Sequence, residues 1–103
     1  QSLLRYLDTT PREVRIAALF CENDILAIGA LEALKVRGEE GRMAIVGFDD
    51  IDQAASPCYE LTTYRQPLQT LVSEAIRRLT AVEPPSRYLA PGALVLRRSH
   101  LRG

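Results

Sequence analysis

The chain has no tryptophan, one methionine, one histidine and two cysteines among its 103 residues. Cys21, Cys58 and His100 do not have the spacing of a zinc site. His100 stands beside Ser99 with no third group to orient it, so the pair is not a catalytic triad. It reads as solvated surface. Two cysteines are too few for a disulfide framework and fit a reduced, cytoplasmic setting. Charge of one sign is also missing: 13 basic residues face 13 acidic ones and the formal net charge is zero. This stretch is therefore not built to hold nucleic acid by charge alone. No apolar run approaches the ~20 residues that would span a bilayer, so no membrane partner is expected. The N-terminus shows no signal-peptide pattern. Gly38 and Gly41 do not follow a strand, which leaves no phosphate-cradling loop. The chain reads as a non-enzyme that needs no cofactor and no metal.

Apolar residues make up 47% of the chain, which is ordinary for one globular unit. Two short apolar runs stand out. Ile16 to Phe20 ends at Cys21-Glu22-Asn23-Asp24. Met43 to Val46 ends at Gly47, followed by Phe48-Asp49-Asp50. Both read as buried strands closed by polar turns, and a helical stretch lies between them. Strand–helix–strand with this spacing is a βαβ unit with parallel strands. Both polar termini then share one sheet edge, the edge where open α/β folds bind small molecules. Asn23 and Asp49 are the two groups placed to meet a polar ligand there. Helix capping is the plainer role for Asn23, and turn formation the plainer role for Asp49 and Asp50.

The other elements follow from pattern. Ser2 to Leu7 reads as the last turns of a helix. A second helix runs from Asp24 to about Arg37, capped by Asn23 or Asp24 and stopped at Gly38. Its first half, Ile25 to Leu31, is apolar all round, so it is covered on two sides, by its own domain or by another subunit through Ile25, Ile28 and Glu32. Ile51 to Ala55 reads as one helical turn and Leu61 to Tyr64 as a short strand. Pro67 opens a third helix. Its apolar stripe is Leu68, Leu71, Val72, Ala75, Ile76 and Leu79. Glu83-Pro84-Pro85-Ser86 is a linker, and Ala93 to Arg97 is a last strand. Cys21 reads as a small buried hydrophobe. Arg97, Arg98 and Arg102 read as a solvated basic end. The chain begins at Gln1, not Met, and is expected to be a piece of a longer protein.

The segments CENDILAIGALEALKVRG, AIVGFDDIDQAASP, LTTYRQPLQTLVSEAIRRL and APGALVLRRS, in this order, resemble the C-terminal portion of a LacI/GalR-type transcriptional regulator. The resemblance runs from about Ile16 to Ser99. It implies an α/β fold with a parallel sheet and flanking helices, part of a type I periplasmic-binding-protein-like lobe. Residues 1–103 would then be the C-terminal portion of an effector-binding and dimerisation domain. The effector, a sugar or a nucleobase, would lie between two lobes. DNA would be bound only through an N-terminal helix-turn-helix upstream of this stretch. At matching positions the resemblance makes Asn23, Asp49 and Gln66 ligand contacts, and Asp24 the helix cap. It puts Ile25, Ile28, Glu32, Cys58 and Tyr59 at a homodimer interface. It also assigns Pro67 to Leu79 to the other lobe from Ile16 to Phe48. The competing reading is a fragment of a periplasmic sugar-binding protein of an ABC transporter, which shares the fold and the Asp and Asn positions.

Overall fold

Apolar residues at the two strand positions draw together segments that are well separated in sequence. In the computed structural model, which describes residues 2–81, 87 and 89–102, helix α1 spans Ser2–Thr9 and strand β1 spans Ala18–Phe20. Helix α2 is Asp24–Val36 and strand β2 is Ala44–Val46. A 3-10 turn at Asp52–Ala55 leads to strand β3, Thr63–Arg65. Helix α3, Leu68–Thr80, and strand β4, Ala93–Val95, complete the chain. The expected linker at 83–86 lies outside the described residues.

β1 and β2 are parallel neighbours in register Ala18 to Ala44, Leu19 to Ile45 and Phe20 to Val46. The parallel βαβ pairing holds, although both strands are shorter than their apolar runs and β1 is not the buried strand expected: it is an edge strand, and Ile16 and Phe20 at the ends of its apolar run are exposed. A single parallel bridge, Val46 to Thr62, adds a third position to this sheet. Backbone bonds from Gly47 N to Thr62 O (2.9 Å) and from Asp49 N to Tyr64 O (2.9 Å) continue that alignment past the end of β2.

Ser99 fills the other end of the gap between β2 and residues 60–62. Its carbonyl accepts Ile45 N–H at 2.7 Å, and its hydroxyl donates to Ile45 O at 2.6 Å. The same Oγ accepts Thr62 N–H at 2.8 Å. One side chain thus satisfies backbone groups that would otherwise be stranded where two strands diverge.

β3 and β4 form a separate antiparallel pair, Thr63 to Val95 through Arg65 to Ala93. The expected strand Leu61 to Tyr64 is therefore displaced by one to two residues. Leu61 and Thr62 stay in the parallel layer, and the chain leaves that layer from Thr63 onward. Gly92 sits against the returning strand: a Cβ there would lie 2.4 Å from Arg65 O and 2.5 Å from the Tyr64 ring. Only glycine permits that approach, and it lets Tyr64 Oη accept Gly92 N–H at 2.8 Å.

The core sits between α1, α2 and the parallel layer. Leu7, Cys21, Ala27, Ala30, Leu34, Met43, Ile45, Ala54 and Leu61 are its buried members. α2 turns its alanines and Leu34 inward, and small side chains allow the helix to lie close to β2. Cys21 is buried as expected and its thiol is pushed up by that burial.

α3 buries none of its residues. Its apolar stripe stands open, with Leu68, Val72, Ile76 and Leu79 all exposed. The radius of gyration is 17.7 Å, against about 13 Å for a compact domain of this length. The excess comes from the arm formed by β3, α3 and β4.

Candidate functional site

Asn23 sits in extended backbone just before α2, and its Oδ1 accepts Leu26 N–H at 2.9 Å. It is the N-cap, which satisfies one of the free amide groups of the first turn. Asp24 is not the cap, contrary to expectation. It points inward and is fully buried. Its Oδ1 accepts the Thr63 hydroxyl at 2.6 Å and its Oδ2 accepts Ile51 N–H at 2.8 Å. The reason is positional: one residue further along the helix, a side chain faces the sheet instead of the turn. Asp24 therefore joins α2, the turn after β2 and β3. A Cβ on Gly47 would lie 2.3 Å from Asp24 Oδ1, so glycine is required where β2 passes this carboxylate.

The turn after β2 carries backbone conformations that side chains rarely adopt. Asp49 has φ +121° and Asp50 has φ +58°. Such strain persists only where surrounding bonds hold it, and it concentrates at binding sites. Asp49 is held by its amide bond to Tyr64 O and by Gln66, whose Nε2 donates to Asp49 Oδ1 at 2.7 Å. Phe48 stacks on Tyr64 with ring centroids 5.4 Å apart and planes 11° apart. Asn23, Asp49 and Gln66 thus stand at or beyond the carboxyl ends of β1, β2 and β3, and Asp49 and Gln66 are in direct contact.

Asp50 has a different set of partners. Arg65 Nε lies 2.8 Å from its Oδ2 and Arg97 Nη2 lies 3.0 Å from its Oδ1. Burial pushes this carboxyl up, but the two guanidinium groups outweigh burial and hold it below the usual aspartate range. Arg97 also donates to Leu61 O at 2.8 Å. The expectation of a solvated Arg97 is overturned: it flanks the crossing from β4 back to the parallel layer and closes on Asp50. His100 is not simply solvated either. It is half-buried, with its Nδ1 2.5 Å from the Thr62 hydroxyl. Neither pairing can be read from local pattern, because the partners are 47 and 38 residues away.

The second candidate surface lies along α2. Ile25 and Glu32 are exposed, while Ile28 rests partly on the core. A groove of about 590 Å³ runs past Leu31, Glu32, Met43, Cys58, Tyr59 and Leu101. Cys58 is a free, exposed thiol. The neighbouring Glu32 carboxylate pushes the Tyr59 phenol up. Three of the five expected interface residues, Glu32, Cys58 and Tyr59, therefore line one groove. Asn23, Asp49 and Gln66 do not line that groove.

No helix among the described residues is long and apolar enough to cross a membrane. Residues 1–100 match the periplasmic binding protein-like domain family. The chain is similar to the HTH-type transcriptional repressor PurR of Haemophilus influenzae, 36% identical over 92 residues. That alignment takes in 80% of this chain and 27% of the repressor. Among solved structures, the lac repressor dimer bound to operator and the anti-inducer ONPF superposes with a TM-score of 0.81 at 27% identity. It matches 98% of this chain and 36% of that one. A regulatory protein of the LacI family from Chloroflexus aggregans gives a TM-score of 0.83 at 32% identity, over 95% of this chain and 37% of that one. The chain spans about a quarter or less of the length of the curated relatives it matches.

Proposed function

The chain belongs to the periplasmic binding protein-like domain family, in the form found in LacI-type regulators, and on that footing we propose that it is the effector-sensing and dimerising portion of a transcriptional regulator. The observation that carries the reading is the edge at Asn23, Asp49 and Gln66. A strained turn places one carboxylate there, and Gln66 fixes that carboxylate at 2.7 Å. Carboxylate and amide groups at the carboxyl ends of parallel strands suit a polyhydroxylated ligand or a nucleobase, which offer donors and acceptors together.

The relatives are regulators by name, not enzymes and not transporter components. This favours the regulator over a fragment of an ABC-transporter sugar-binding protein. The protein would then act in the cytoplasm and reach DNA through a helix-turn-helix outside this stretch. A second lobe would close over the Asn23–Asp49–Gln66 edge and cover the open stripe of α3. The effector can shift DNA affinity only as far as it binds the two cleft geometries differently. The groove past Glu32, Cys58 and Tyr59, with Ile25 and Ile28 beside it, would receive a second copy of the chain, consistent with the dimeric state of the lac repressor structure.

The test is calorimetry on the full-length protein. Replacing Asp49 by Ala should weaken effector binding by about 1.5–3 kcal/mol, the value of a hydrogen bond to a charged group. Operator binding should survive and induction should be lost. Unchanged effector affinity in Asp49→Ala would refute the assignment.

A further inference from the structure

The opposite edge of the parallel pair carries a cluster that the proposed function does not use. Arg12, Arg15, Glu39 and Arg42 precede the two strands, and Arg102 comes back to the same place from the C-terminal segment. Glu39 is buried, with only 4% of its surface exposed. Its Oε1 lies 2.8 Å from Arg15 Nη1 and 3.1 Å from Arg12 Nε, and its Oε2 lies 3.1 Å from Arg42 Nε. Arg102 Nε donates to Arg42 O at 3.1 Å.

Arg15 is fully committed. Besides Glu39, it donates through Nε to Thr10 O and through Nη2 to Leu7 O. It is the cation that balances Glu39. The other three arginines are surplus positive charge around one cavity of about 100 Å³, which Arg12, Arg15, Glu39, Arg42 and Arg102 line together with apolar neighbours. Arg12 and Arg102 each donate one hydrogen bond, through Nε, and Arg42 Nε is held 3.1 Å from Glu39 Oε2 as an ion pair. Among the described residues their Nη groups make no hydrogen bond. Arg12 and Arg42 are more than half exposed, so the cavity mouth is open to solvent.

Three guanidinium groups, two held by a hydrogen bond from their inner nitrogen and one by an ion pair, with outer nitrogens unused, form a preorganised receptor. Planar forks of this kind pair bidentately with tetrahedral oxyanions. We propose that Arg12, Arg42 and Arg102 form a binding site for a phosphate-type oxyanion, separate from the Asn23–Asp49–Gln66 edge. The anion would neutralise the surplus charge and tie the C-terminal segment to the turn before β2. The ligand is either free phosphate or the phosphate group of a small phosphomonoester.

Inorganic phosphate is the probe, titrated into the full-length protein at constant ionic strength with chloride as the reference. The expected result is a saturable rise in melting temperature with phosphate, and calorimetric binding at the same concentrations. Both signals should vanish in Arg42→Gln and fall severalfold in Arg102→Lys, which keeps the charge but loses the fork. Arg102 is exposed and makes one bond, so Arg102→Gln should fold normally by circular dichroism and still lose the response. Glycerol 2-phosphate then separates the sources. Competition with phosphate marks a phosphomonoester site, and binding of phosphate with exclusion of the ester marks a site for the free ion. Identical behaviour in phosphate and chloride overturns the proposal, as does a phosphate response that survives intact in both Arg42→Gln and Arg102→Gln.

Discussion

Asp24 and Thr63 lie 39 residues apart and share a buried hydrogen bond, the Thr63 hydroxyl donating to Asp24 Oδ1 at 2.6 Å. The same carboxylate accepts Ile51 N–H and excludes any side chain at position 47. Three elements meet on one residue. No cation is paired with Asp24 among the described residues, and its two carboxylate oxygens are satisfied by these two hydrogen bonds.

Replacing Asp24 by Ala strands the Thr63 hydroxyl and the Ile51 amide in the interior. An unsatisfied buried polar group costs about 1–3 kcal/mol, so Asp24→Ala should lower stability by about 3 kcal/mol in urea denaturation of the full-length protein. Gly47→Ala should also destabilise, because its methyl collides with Asp24 Oδ1. The two losses are coupled: with Asp24 already replaced by Ala, the added methyl should cost clearly less. Simple additivity in that double-mutant cycle would show that the two residues do not act on each other.

Gln66 should act on effector binding through Asp49. Gln66→Ala removes the donor that fixes the Asp49 carboxylate, so effector affinity should fall about tenfold, the equivalent of roughly 1.4 kcal/mol. Gln66→Glu should do more harm, because it sets a second carboxylate against the first. Equal affinities for the wild type and both variants, measured by calorimetry, would remove Gln66 from the site.

Acid should loosen the edge at Glu39. The Arg15 guanidinium, with Arg12 and Arg42, holds this carboxyl below its ordinary value of 4.5. A depressed carboxyl contributes stability above its unfolded value and loses that contribution as pH falls through its folded value. Melting temperature should therefore drop as pH is lowered from about 5 toward 3. Glu39→Gln should lower the melting temperature at pH 7 and flatten that drop. An identical pH profile in the variant would assign acid sensitivity elsewhere.

The isolated 103-residue chain should not remain a monomer. The α3 stripe of Leu68, Val72, Ile76 and Leu79 exposes a contiguous apolar face, and soluble monomers rarely carry such patches above a few hundred Å². Sedimentation equilibrium at micromolar concentration should give more than one chain mass. Val72→Gln with Ile76→Gln should shift the distribution toward the monomer. A single species of one-chain mass for the wild type would overturn this expectation.

The parallel pair was legible because its signal is local. Ile16 to Phe20 and Met43 to Val46 are apolar runs closed by polar turns, with a capped helix between them. The open stripe of α3 was legible for the same reason, since its spacing marks a face whatever covers it. The roles of Asn23 and Asp24 were harder to read. Either can cap a helix, and which one does so depends on a Thr hydroxyl 39 residues later. Arg97 and His100 looked like a solvated tail because their partners, Asp50 and Thr62, are reached only when β4 returns. Ser99 offered no sign of its position between two diverging strands. The Asp49–Gln66 contact was half legible: motif resemblance singled out both residues, and their bond is a property of the fold.

Asp50 grips Arg65 on the outgoing strand and Arg97 just after the returning one, so both crossings to the α3 arm are pinned at a single carboxylate. The molecule measures 58 Å in its longest direction and 26 Å and 20 Å in the others. The arm therefore cannot turn about either of its two strands alone without breaking an ion pair at this one carboxylate.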